Sequence, residues 1–278
     1  MPFTTPLRIR VESALGEHLS ATLLLREKST PLLVPTGVTA LDTLTGGLPR
    51  GALSEITGPV SSGRTGVMLA ALAGATRCQE ACALVDASDN FDPASAAGAG
   101  VDLDRLLWVR CSERDRSSHR QGQRRNSLGR LEQVLKVTDL LLQGGGFGMV
   151  VLDLGDVPTE SVRRVPLTSW FRFRRAVEPT ATVLLIVERE SCAKTCASLV
   201  VRLHRTAVCA HDAASPSETE FEGWKVHSSK EPAIPPNNVV SHASLLRGMQ
   251  LHAEVLRSWA QRKPMHSAGT QFELRAAW

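Results

Sequence analysis

The sequence predicts an α/β fold with a mostly parallel central sheet flanked by helices, and three observations carry that expectation. Short, continuously apolar runs alternate with helical stretches, as in strands that are covered on both faces. One run, Ala52–Thr57, leads through Gly58-Pro59-Val60-Ser61-Ser62-Gly63-Arg64-Thr65 into a helical stretch from about Thr65 to Glu80. Another, Phe147–Leu154, places Asp153 after four apolar residues, where the carboxyl edge of a parallel sheet is expected.

The elements follow in order. Leu7, Val11, Leu15, Leu19, Leu23 and Leu24 form a stripe that predicts a helix over 7–27, broken by Ser29-Thr30-Pro31. Leu32–Val34 reads as a short strand or linker. Beyond the glycine loop, strands are predicted at Ala81–Asp86 and Leu106–Arg110. A helix near 128–143 ends at Gly144-Gly145-Gly146. After the Phe147–Leu154 strand, a helix near 166–178 opens on Pro166. Strands at Thr182–Val187 and Ser198–His204 complete the core. The polar, aperiodic stretch 112–127 predicts a loop. Residues 211–243 mix Ser, Pro, Glu and Asn around a candidate strand at Phe221–Val226. A helix over 244–262 and a strand at Phe272–Leu274 close the chain. The organisation expected is an N-terminal helix and linker (1–34), a core (35–210) and a small C-terminal extension (211–278).

Composition narrows the function classes. Hydrophobic residues make up 42% of the chain, enough for a buried core. No apolar run approaches the roughly 18–20 residues of a membrane span, and Met1–Arg10 lacks the basic-then-apolar order of a signal peptide. A soluble cytoplasmic protein is expected. The cysteines Cys78, Cys82, Cys111, Cys192, Cys196 and Cys209 form no CxxC pair and have no histidines at finger spacing. Reduced, mostly buried thiols are therefore expected rather than zinc. The net charge of +4 is mild, but arginine crowds Arg105–Arg130 and Arg163–Arg175.

The loop fits the phosphate-binding pattern GxxxxGK[ST] at every fixed position except the lysine. In such a loop the backbone N–H groups wrap phosphates and the helix N-terminus adds its dipole. Gly58, Ser61, Ser62, Gly63, Arg64, Thr65 and Asp153 are the candidate nucleotide-binding residues, with ATP as ligand. Thr65 and Asp153 would hold Mg²⁺ if nucleotide binds. Arg64 keeps the lysine's charge on a longer, planar group. It leaves two outcomes open, a two-point phosphate clamp or a filled pocket.

The run TGVTALDTLTGGLPRGALSEITGPVSSGRTG, from Thr36, followed by CALVDASDNFDPASAAGAGVDLDRLLWVR, resembles the RecA recombinase family. RecA proteins carry a matching GGLP–GP–SSGKT loop, a strand ending in DAE with a DP following, and a GVD–LL segment. The resemblance covers Thr36 to Val187 with gaps, and implies a RecA-like P-loop core. It places Ser88 where those proteins have the catalytic glutamate that orients the attacking water, with Asp89 beside it. Their switch glutamine aligns near Glu188, and their second DNA loop falls at Arg189–Ala197, which lacks its Gly/Thr composition. A shortened RecA-like chain with such a degraded site is similar to ImuA-type accessory proteins. That likeness implies a role in SOS-response translesion repair and mutagenesis, with RecA, an ImuB-like Y-family protein and a DnaE-type polymerase as partners. Two alternatives stand beside it: a DNA-stimulated ATPase, and a SulA-like cell-division inhibitor.

Arg114, Arg116, Arg120, Arg124, Arg125 and Arg130 are candidate phosphate contacts for weak, sequence-blind DNA binding. The alternative is a solvated loop that binds nothing. Around Arg163–Arg175, Trp170, Phe173 and Val177 share one helical face, so core packing explains the aromatics. Without tyrosine, and with aromatics at 4%, no base-stacking platform is indicated. The 7–24 stripe is a candidate surface for self-association or for RecA, or it folds back onto the chain's own core, the commonest fate of such a helix. Leu245, Leu246, Met249, Ala253 and Leu256 on the predicted C-terminal helix are a second candidate surface.

Overall fold

A computed structural model describes residues 31–111, 123–210, 246–259 and 268–275. The stripe at 7–24, the candidate strand at 221–226, and Arg114, Arg116 and Arg120 lie outside the described residues.

The chain opens with a small antiparallel pair, β1 (Leu33–Val34) and β2 (Leu48–Pro49), around helix α1 (Thr39–Thr45). Next come β3 (Ala52–Thr57), α2 (Arg64–Arg77), β4 (Cys82–Asp86), α3 (Pro93–Gly98) and β5 (Leu106–Arg110). The chain continues through α4 (Gln123–Gly144), β6 (Met149–Asp153), α5 (Thr159–Arg163), α6 (Leu167–Val177) and β7 (Val183–Glu188). Three long strands close it: β8 (Leu199–Ala210), β9 (Leu246–Arg257) and β10 (Gly269–Arg275).

One sheet of eight strands runs in the order β10-β9-β8-β3-β7-β6-β4-β5. From β8 to β5 it is parallel, and β9 and β10 add antiparallel at the β8 edge. The fold is thus the α/β arrangement expected. Two apolar layers cover the sheet. One contains Ile56, Met68, Leu72, Leu84 and Val151. The other contains Leu53, Val85, Leu152, Trp170 and Phe173. Trp170 and Phe173 stand edge to face at 5.8 Å and are buried with Val177, so the aromatics of α6 serve the core.

Two expectations change. Helix α4 starts at Gln123, which takes 123–127 out of the predicted loop and puts Arg124 and Arg125 on its first turns. The helix predicted over 244–262 is instead strand β9. Leu251, Ala253 and Val255 are buried, while the alternate residues His252, Glu254 and Leu256 are half-buried. That alternation is the period of a strand, and β8 offers β9 a long antiparallel edge. The apolar stripe read at helical spacing is split: Ala253 packs in one layer and Leu256 against the other. No helical partner surface exists there, and Leu245 lies outside the described residues. Among the described residues, no helix is long and apolar enough to cross a membrane.

Candidate functional site

The glycine loop joins β3 to α2 at the carboxyl edge of the sheet, the position its pattern requires. The Gly58 N–H donates to the Glu188 carbonyl at 3.2 Å, and the Val67 N–H to the Gly63 carbonyl at 3.1 Å. Ser61 (φ 58°) and Gly63 (φ 83°) adopt left-handed backbone, which a glycine takes at no steric cost. A Cβ on Gly63 would run into the side chain of Leu251 on β9, and one on Gly66 into Leu274 on β10. The antiparallel strands are therefore packed directly beneath the loop and the first turn of α2. Ser61 and Thr65 are exposed, while Ser62 and Arg64 are buried.

Arg64 turns inward. Its Nη2 lies 3.5 Å from the Gly155 carbonyl oxygen, in the turn after β6. Arg189, the residue after β7, donates its Nε to the same oxygen at 3.0 Å and sits 3.6 Å from Asp156. Asp156 accepts from Asn90 Nδ2 at 2.8 Å. Asp153 ends β6, and its Oδ1 accepts the Gly155 N–H at 2.8 Å. Burial holds the Asp153 carboxyl up at about 6, with the Gly155 N–H and the Arg64 charge acting against that rise. Burial likewise lowers the pKa of Arg64 from its ordinary value.

Asp86 stands beside Asp153 in register on β4. Its two oxygens accept from the Ser88 N–H, the Phe91 N–H and Trp108 Nε1. Those bonds shape the turn that carries Ser88 and Asp89. Ser88 is half-buried and shares a small pocket with Arg130, Asp156 and Pro158. Asp89 (φ 58°) faces the sheet edge, where Arg110 holds both its oxygens at 2.6 and 2.9 Å and stacks over Trp108 at 4.8 Å. Arg130, read as a DNA contact, points its Nε into a buried position.

Sequence reasoning missed the buried carboxylate of Glu55 and its closeness to Glu188. Glu55, in the middle of β3, accepts the N–H groups of Cys192 and Ala193 and the Ser191 hydroxyl. Glu188, at the end of β7, also accepts the Cys192 N–H at 3.0 Å, while its Oε2 has no donor. Burial and then the Glu55 charge push the Glu188 carboxyl well above its ordinary range. Glu55, Glu188 and Cys192 bring three possible metal-ligand atoms within 4.8 Å of one another. The available signal was a glutamate within the β3 run and another closing the apolar β7 run. In the sequence Arg189 is only the start of the segment aligned with a DNA loop, and nothing there points it at Gly155. A cavity of about 380 Å³ opens beside the loop, lined by Gly58, Val60, Thr159, Arg189, Arg202 and His204.

Comparison with known proteins places these residues in context. The RecA N-terminal domain family matches residues 10–159, more than half of the chain. Protein RecA of Clavibacter michiganensis subsp. michiganensis (strain NCPPB 382) is 38% identical over 129 residues, covering 46% of this chain and 31% of that protein. Protein RecA of Streptomyces ambofaciens is 37% identical over 130 residues, 46% of this chain and 30% of its own length. Protein RecA of Ectopseudomonas oleovorans is 38% identical over 123 residues, 44% and 30% of the two chains. The matched stretch thus spans about a third of these curated relatives.

Proposed function

We propose that this chain, which belongs to the RecA N-terminal domain family, is a non-hydrolysing accessory protein of SOS-response translesion DNA repair. It keeps the RecA-like scaffold as a docking body for RecA, an ImuB-like Y-family protein and a DnaE-type polymerase. Its own contact with DNA is weak and blind to sequence.

The observation that carries this reading is the turn after β4. Ser88 stands where the resemblance puts the water-orienting glutamate, and a hydroxyl cannot act as that base. Asp89, the neighbouring carboxylate, is engaged by both arms of the Arg110 guanidinium. Such a bidentate pair fixes direction as well as charge, and it aims Asp89 at the sheet edge. This is also why a DNA-stimulated ATPase using Asp89 is the weaker reading. Nucleotide, if held, would contact Gly58, Ser61, Ser62, Gly63 and Thr65 through the loop.

The accessory role is tested with purified proteins. RecA filaments on single-stranded DNA are sedimented with and without this chain, and RecA turnover is followed in parallel. Co-sedimentation above the DNA-only control, with altered RecA turnover, is the expected outcome. Sedimentation equal to the DNA-only control, with RecA turnover unchanged, contradicts the reading.

A further inference from the structure

The family resemblance calls for a divalent metal between Thr65 and Asp153, and the residues around Asp153 do not fit one. Arg64 is only 8% exposed, and its Nη1 is buried with no hydrogen-bond partner. That nitrogen lies 3.2 Å from the point where a Cβ on Gly155 would stand, and Asp153 Oδ1 lies 3.0 Å from the same point. The guanidinium and the carboxylate therefore flank one small space, which exists because residue 155 has no side chain.

Two of the oxygens beside that space already accept N–H donors. Asp153 Oδ1 accepts from the Gly155 N–H, and the Gly155 carbonyl oxygen accepts from both Arg64 and Arg189. Mg²⁺ demands near-octahedral oxygen ligation at roughly 2.0–2.1 Å. Meeting that demand here would strip these donors and set a double positive charge against two guanidinium groups. Arginine cannot give up its proton to make way. Burial is the largest influence on Arg64 and lowers its pKa, while Asp153, Asp156 and Glu188 favour its charge and Arg189 opposes it. A lysine, a compact point charge on a flexible stem, would not place one nitrogen near the Gly155 carbonyl and a second beside the same space, as this planar guanidinium does.

We infer that Arg64 is a resident cation that takes the divalent metal's place beside Asp153, so that this phosphate loop is a metal-independent element. The chain then holds its carboxyl-edge geometry without Mg²⁺. The inference is separate from the absence of turnover, which rests on Ser88 and Asp89.

Manganese binding to the full chain, followed by electron paramagnetic resonance, tests it. Wild type is expected to take up no Mn²⁺ at this site, and to melt at the same temperature in excess Mg²⁺ and in EDTA. Arg64→Ala and Arg64→Met, the second of which keeps an apolar stem for packing, are expected to gain Mn²⁺ affinity on the order of tenfold or more. Adding Asp153→Asn to either variant should abolish the gain. Mn²⁺ uptake by wild type that Asp153→Asn removes overturns the inference. So does a folded Arg64→Ala or Arg64→Met variant that still takes up no Mn²⁺. Either failure leaves the non-hydrolysing reading untouched, since turnover is a separate measurement.

Discussion

The underside and the upper side of the phosphate loop have diverged. Beneath it, Leu251 and Leu274 from the antiparallel strands press on Gly63 and Gly66, and a Cβ on Gly58 would collide with the Leu203 carbonyl. Every contact there depends on the loop keeping its shape. Above it, Arg64 turns into the protein, Ser88 stands beside a small pocket, and Asp89 is held by Arg110. The difference teaches that packing alone can enforce the loop's shape, whatever its chemistry. The underside is fixed by close contacts, whereas the proposed lack of hydrolysis rests on a few side chains that the core does not need.

The sharpest way to break that contrast is to disturb the underside. Leu251 is fully buried on β9. Leu251→Ala is expected to cost about 2–5 kcal/mol, the range of a core leucine truncation. Chemical denaturation measures it, and a loss below about 1 kcal/mol would detach the antiparallel strands from the loop's support.

The next largest effect concerns Glu188. Its folded pKa is raised by burial, so the folded state binds a proton that the unfolded state gives up. That contribution is complete below the unfolded value and is lost as pH rises towards the folded one. The expected slope is a loss of up to about 1.4 kcal/mol per pH unit for one proton. Glu188→Gln, which keeps the shape without the charge, should flatten this slope in melts taken at rising pH from the ordinary glutamate value upward. A slope unchanged in the variant would mean that the carboxyl is not neutral in the fold.

On the upper side the effects should be small. Arg110 is largely exposed, so its pair with Asp89 is screened by solvent and adds little to stability. Arg110→Ala should leave the denaturation midpoint nearly unchanged and should confer no ATP turnover. Thr65 is exposed at the start of α2, so Thr65→Ala should shift stability by less than about 0.5 kcal/mol. A loss there as large as that of Leu251→Ala would erase the distinction between the two sides.

The parallel half was legible because each signal was local. A strand, a glycine loop and a helix follow one another at Ala52–Arg77, and the apolar run ending at Asp153 announces its own place at the sheet edge. The antiparallel half was not, because β9 carries two periods at once. Met249, Ala253 and Leu256 satisfy helical spacing, while Leu251, Ala253 and Val255 alternate, and only the edge of β8 decides between them. The site shows the same divide. Gly58, Gly63, Thr65 and Asp153 stand where their motifs put them. The direction Arg64 takes depends on Gly155 and Arg189, which are 91 and 125 positions away and meet it only in the fold.

Steady-state ATP turnover of highly purified wild type, with and without single-stranded DNA and beside Thr65→Ala, tests the non-hydrolysing reading most directly. Each missing transition-state contact commonly costs on the order of 10²–10³ in rate. Turnover indistinguishable from Thr65→Ala, in the presence and absence of DNA, is the predicted result. Robust hydrolysis that DNA stimulates and Thr65→Ala abolishes would contradict it.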